Sequence, residues 1–131
     1  GTYQQVQLDS IMPLSNITTG LNNMMVNSGG NYEISYSIGI APKGTSDSKT
    51  TTANITFTTA IRKNGVAIPQ TVCNASISPN QSKQNYYNTS YVTLANNDVL
   101  DLVLQVNDNS NAGSLIIYPN ADCSLTIKRL S

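Results

Sequence analysis

The chain of 131 residues has no histidine, no tryptophan and a single phenylalanine, and only 11% of it is charged. Each shortage excludes something. Without histidine there is no Ser-His-Asp or Cys-His catalytic arrangement and no imidazole ligand for zinc. The charged share is less than half the ~25% usual for globular domains. With 7 basic and 7 acidic residues the formal charge is +0. The cations are scattered, with only Arg62-Lys63 and Lys128-Arg129 adjacent, so no basic stripe marks nucleic acid or anionic lipid as a partner. No segment approaches the ~20 consecutive apolar residues that span a bilayer, and membrane insertion is not expected. Cysteine is nearly absent too. Cys73 and Cys123 stand 50 positions apart, which fits no zinc or thioredoxin spacing. They are either two buried apolar thiols or one disulfide, and pairing cannot be read from spacing.

What the chain has instead is neutral polarity. There are 17 asparagines, with abundant serine and threonine, so solubility rests on amides and hydroxyls. A hydrophobic share of 39% in this length suits one domain, residues 1–131, with one core. The chain begins at Gly1 without an initiator Met or a signal peptide. We expect a piece of a longer protein in preference to a residue left by a tag, because strand-like sequence starts at once.

The clearest pattern is Asn31–Ile40. Tyr32, Ile34, Tyr36, Ile38 and Ile40 share one side, while Asn31, Glu33, Ser35, Ser37 and Gly39 share the other. This unbroken period of two predicts a half-buried strand. Asn97–Asn107 repeats it, with Leu100, Leu102, Leu104 and Val106 on one face. Further strands are expected at Tyr3–Leu8, Ala53–Lys63, Val66–Val72, Tyr86–Leu94, Leu115–Tyr118 and Cys123–Leu130. Tyr87 and Tyr91 are expected to reach the core from the fourth of these. Leu21–Val26 reads as a short strand or the end of a helical turn. Ile11–Thr19 reads as a loop or short extended piece, and Asn74–Asn85 as a loop after a short strand. Asn64-Gly65 between two alternating runs predicts a two-residue hairpin, because both central residues need positive φ. Pro69 demotes the second arm to an edge or irregular strand. Eight to ten short strands with turns about every 8–12 residues predict an all-β sandwich, with a jelly roll preferred.

Candidate chemistry is sparse. Asp98 and Asp101 lie three apart on a strand and point to opposite faces, so a capping Asp98 and a solvated Asp101 are expected in place of an acid–base pair. Asn107, Asp108 and Asn109 offer oxygen ligands, but an Asx-rich turn explains them as well as weak calcium binding does. Asp47 sits in the polar loop Pro42–Thr52, a second candidate ligand loop with Asn107–Gly113. Asn16, Asn54, Asn74 and Asn88 each begin an N-x-[ST] sequon, unsurprising in so Asn- and Thr-rich a chain. Tyr86, Tyr87, Tyr91 and Tyr118 suit sugar stacking or, more commonly, a core or subunit interface. Val99, Asp101, Val103 and Gln105 form a partly apolar face opposite the wholly apolar one, and are the expected subunit interface. No catalytic residue, cofactor or metal is expected.

Several segments occur in a familiar order. These are Gly30-x-Tyr32-x-x-x-Tyr36-x-Ile38, a strand ending Lys63-Asn64-Gly65, Leu94-x-x-x-Asp98-Val99-x-x-Leu102-x-Leu104, and Ser124-Leu125-Thr126-Ile127-x-Arg129-Leu130. Together they resemble the jelly-roll heads of the complement first-component and tumour-necrosis-factor (TNF) superfamily. Within it the chain looks most like the C-terminal heads of collagen-like glycoproteins on the exosporium of spore-forming bacteria. Ile11-Met12-Pro13-Leu14 resembles the apolar-Pro segment near the start of those heads. The chain departs from the family in its 6% aromatic content and in Asn97, where a glycine is frequent. The resemblance implies a jelly roll of about ten antiparallel strands, a homotrimer, an extracellular place on a spore or cell surface at the end of a collagen-like stalk, and no catalysis. The alternative is a trimeric adhesin or lectin-like head, for example of a phage or bacteriocin fibre, binding a host-surface glycan or protein.

Overall fold

The computed structural model describes residues 3–5, 10–11, 17–19, 23–42, 55–78, 84–107, 115–117 and 123–131. Among these, twelve strands run in chain order: β1 (Gln4–Gln5), β2 (Ser10–Ile11), β3 (Ile17–Thr19), β4 (Met24–Val26), β5 (Gly30–Pro42), β6 (Ile55–Lys63), β7 (Val66–Ala67), β8 (Cys73–Ile77), β9 (Gln84–Leu94), β10 (Val99–Val106), β11 (Leu115–Ile117) and β12 (Ser124–Arg129). The two strongest period-two runs form β5 and β10.

The strands form two sheets. The first has β10 and β6 at its centre, paired antiparallel from Leu100↔Lys63 to Val106↔Phe57. β4 and β1 flank β10, β3 lies outside β4, and β7 and β8 flank β6. The second is built on β5, which pairs β9 over most of its length on one side, and β12 and β11 on the other. Beyond β12 lies β2, and this pair is parallel, an exception to the all-antiparallel expectation. The long strands alternate between layers: β5 in the second, β6 in the first, β9 in the second, β10 in the first, β12 in the second.

Alternation decides the core. Tyr32, Ile34, Ile38 and Ile40 from β5 meet Ile55, Phe57 and Ile61 from β6 and Leu100, Leu102 and Leu104 from β10, with Leu125 and Ile127 from β12. Phe57 stacks edge-on against Tyr86 of the opposite sheet, ring centroids 5.1 Å apart at 84°, the T-shaped geometry that aromatic quadrupoles favour. Tyr36 brings a hydroxyl into this interior. It bonds Thr59 Oγ1 at 2.8 Å and the Thr71 carbonyl at 3.0 Å, and burial pushes its ionisation well above the ordinary tyrosine range.

Two local expectations change and a third is resolved. The loop expected over Asn74–Asn85 is strand at its start: Cys73, Ala75 and Ile77 turn inward while Asn74 and Ser76 turn out, giving β8, which pairs β6. Leu21–Val26 resolves as strand over β4. Tyr87 and Tyr91 are not core residues. The buried or half-buried set on β9 is Gln84, Tyr86, Asn88, Ser90, Val92 and Leu94, which leaves the odd positions outside. The run Asn85–Tyr91 carries polar and aromatic residues at both parities, so its own pattern does not fix its face. Val92 and Leu94 do.

The hairpin is as predicted. Asn64 and Gly65 have φ of 53° and 85°, and Lys63 pairs Val66. Pro69 ends β7 by opening a 3₁₀ turn over Pro69–Thr71. A side chain at Gly65 would meet nothing within 4 Å, so any penalty there is purely conformational. Gly65→Val is expected to lower stability by on the order of 1 kcal/mol or more, and an unchanged Tm would refute this. Asn97, where the resembled family favours glycine, also has positive φ, 71°. Asparagine is one of the few side chains that tolerate this.

Candidate functional site: the tyrosine face

The register of the second sheet sets its outer side chains in rows across β9, β5 and β12. Tyr87, Ser37 and Ser124 make one row, Thr89, Ser35 and Thr126 the next, and Tyr91, Glu33 and Lys128 a third. Ser37 and Ser124 hydroxyls are 2.9 Å apart. Thr93 Oγ1 donates to Asn31 Oδ1 at 2.7 Å, one row further on. The hydrogen bond to the Glu33 carboxylate, and then its charge, raise the Tyr91 hydroxyl above its ordinary pKa. Tyr87 and Tyr91 are 72% and 63% exposed. They stand two rows apart, and Tyr87 lines a shallow hydroxyl-rich depression of about 200 Å³.

Around the β9 edge lies a larger groove of about 460 Å³, between β7 with its 3₁₀ turn and the end of β9. Its walls mix Val66, Ala67, Ile68, Pro69, Val92 and Leu94 with Lys63, Gln70 and Thr93, and more of the surface it presents is polar than apolar. Ser90 Oγ donates to the Gln70 carbonyl at 2.9 Å and ties the two walls. Thr71 anchors the turn from within: its buried Oγ1 accepts the Ile61 N–H at 2.9 Å and lies 2.8 Å from the Ile68 carbonyl.

The expected interface on β10 lies elsewhere and is largely covered. Val103 is fully buried although it points away from the core, beside the equally buried Ala60. Asp101 accepts from Arg62 at 3.0 and 2.6 Å and from Gln5 Nε2 at 3.1 Å. This bidentate pair raises the Arg62 pKa further. The reading of Asp101 as solvated is therefore corrected, and Val103 is not a free outer surface: both are covered within one chain. Val99 remains exposed and Gln105 half-buried. The covering is illegible in the β10 sequence because it depends on what crosses that face.

Asp98 does cap a turn. The Ala95 N–H and Asn64 Nδ2 bond its two carboxylate oxygens at 2.8 and 2.9 Å, and they hold its pKa below the usual value. It does not meet Asp101. Asn107 accepts from Thr58 Oγ1 at 3.1 Å. Asp47, Asp108 and Asn109 lie outside the described residues, as do Tyr118, Asn16 and Asn54. Asn74 and Asn88 are engaged internally, Asn74 accepting from Thr58 and Asn88 donating to Cys73 Sγ at 3.1 Å. No disulfide joins Cys73 and Cys123, of which Cys73 is half-buried and Cys123 fully buried. Among the described residues no group of three His, Cys, Asp or Glu gathers to hold a metal ion, and no helix is long and apolar enough to cross a membrane.

No family model and no curated protein matches the sequence. Solved structures do. The chain is similar to a crystal structure of murine APRIL at pH 5.0, with a TM-score of 0.58 and 12% identity over 90% of this chain and 80% of that one. It is also similar to a crystal structure of rabbit GITRL, with a TM-score of 0.52 and 16% identity over 89% of this chain and 78% of that one. At such identities the likeness is one of fold, and the fold of this chain is the TNF-like jelly roll.

Proposed function

We propose that this chain is the trimeric globular head of a stalked bacterial surface protein, without catalytic activity, that holds three copies in register at a spore or cell surface. The carrying observation is the pair Tyr87 and Tyr91, each more than 60% exposed on one sheet face whose other outer residues are mostly serine and threonine, with Glu33 and Lys128 in the row of Tyr91. Tyrosine brings large contact area at low conformational cost together with a hydroxyl that tolerates a wet interface. Closed rings of three are built from unlike patches, one copy's surface meeting a different surface of the next. The tyrosine face and the groove between β7 and the end of β9 supply two such patches. In this reading the interface moves from Val99, Asp101, Val103 and Gln105 to the β9 face, since Asp101 and Val103 are already covered within the chain. The low net charge offers little resistance to association. The resemblance to collagen-like exosporium heads supplies the stalk and the location.

Light scattering across a size-exclusion peak tests this. The wild type is expected at three times the chain mass, and Tyr91→Asp at one. Tyr91 is exposed in the single chain, so the variant should keep its fold while losing its partners. A monomeric wild type at micromolar concentration overturns the reading. Fusion to a short Gly-X-Y stalk tests the role: the head should raise the melting temperature of the triple helix. A second reading, an adhesin head, draws on the hydroxyl-lined depression beside Tyr87, which suits stacking and hydrogen bonding to a sugar. Binding on a glycan array by a trimeric wild type, with no rise in the melting temperature of the fused stalk, would favour it.

A further inference from the structure

The hairpin tip carries Asn64 followed by Gly65, the pairing in which an asparagine most readily loses its side-chain amide, because glycine has no Cβ to shield its nitrogen. Both residues are exposed, and Gly65 faces open space. The Asn64 side chain is not free, however. Its Nδ2 donates to Asp98 Oδ1 at 2.9 Å, and its Oδ1 accepts the Val99 N–H at 2.9 Å. Its own N–H donates to the Val99 carbonyl at 2.8 Å. Both ends of the carboxamide are thus held, by Asp98 and by Val99 at the start of β10, and ring closure requires that they let go so that Cγ can swing onto the Gly65 nitrogen.

We propose that Asn64 is a latent self-modification site, deamidating through a succinimide, and that Asp98 and Val99 keep it closed in the folded chain. In the reaction the Gly65 backbone nitrogen gives its proton to solvent base and attacks Asn64 Cγ. The new N–Cγ bond forms as the Cγ–Nδ2 bond breaks, and ammonia leaves carrying a proton from solvent. One water then opens the ring, leaving aspartate or isoaspartate at position 64. No oxidant or reductant takes part. The product replaces a donor with a carboxylate directly opposite Asp98, and isoaspartate also lengthens the backbone within the turn. Either change unfastens the β6–β7 hairpin from the turn that joins β9 to β10.

The test incubates the intact protein in mildly alkaline buffer and follows amide-to-acid conversion and isoaspartate at position 64 by peptide mapping. The folded wild type should convert about tenfold or more slowly than the same chain in denaturant. Asp98→Ala, with its fold checked by circular dichroism, should convert about tenfold faster than the folded wild type, the factor expected from losing one hydrogen bond to a charged group. Asp98→Asn, which retains a side-chain oxygen acceptor, should fall between. If either Asp98 variant fails to fold, the comparison of folded with denatured wild type decides. Equal rates in those two states, or a folded Asp98→Ala no faster than wild type, overturn the proposal. The consequence is tested separately: Asn64→Asp should melt below Asn64→Gly, which keeps the turn without the second carboxylate, and equal melting would remove the carboxylate clash.

Discussion

Val103→Asp is expected to abolish or nearly abolish folding of the single chain, a loss of about 3–5 kcal/mol. Val103 has no exposed surface. A carboxylate there would be desolvated beside Ala60 and two positions along β10 from Asp101, whose two oxygens are taken by Arg62 and Gln5. No cation is left over in that pairing to compensate it. The measurement is a denaturant titration at several protein concentrations. A residue at a subunit contact would give a folded monomer, with the loss of mass seen only in scattering. A residue covered within the chain gives a shifted or absent unfolding transition at every concentration. A well-folded, monomeric Val103→Asp would return β10 to the interface.

Phe57→Ala should cost about 3–5 kcal/mol. It is the chain's one phenylalanine, fully buried, and it spans the two sheets to reach the edge of the Tyr86 ring. Truncation opens a cavity between β6 and β9 where no neighbour on a paired strand can collapse without breaking register. Tyr86→Ala should cost less, because Tyr86 is only half-buried. The double variant should lose less than the sum of the two, since the ring contact can be lost only once. A strictly additive double variant would mean that the two rings do not support one another.

Legibility follows the number of alternating positions. Over Asn31–Ile40, β5 carries five apolar residues at one parity against polar residues and a glycine at the other, and β10 four against a face that is half polar, so the amino-acid pattern alone assigns their core faces. Asn64-Gly65 is legible for a different reason: a two-residue turn with positive φ at both positions admits few residue types. The tyrosine face is harder. Tyr86 and Tyr87 occupy both parities, and only the pairing of Tyr91 with Glu33 and of Tyr87 with Ser37, both outward on β5, assigns them to the surface. The cover over Val103 and the Arg62–Asp101 pair join residues remote in sequence, and no local period encodes them. Thr71 is equally hidden. Its role comes from accepting the Ile61 N–H beside the point where Pro69 stops the strand.

Ser124 and Leu125 of β12 lie beside Ser10 and Ile11 of β2 and also against Ser37 and Tyr36 of β5. The second sheet therefore holds in its interior the strand that comes last in chain order among the described residues. During synthesis β2 and β5 must wait for more than a hundred and for nearly ninety further residues, on the order of 10 s at ordinary elongation rates. Until then the β12 side of β5 is an open strand edge with Tyr32, Ile34 and Tyr36 exposed beside it. A nascent chain in that state is prone to pair with its neighbours on the same message. For an assembly of identical chains, growing several copies side by side would turn that hazard into a route: the surfaces that meet too early belong to the molecules that must eventually meet.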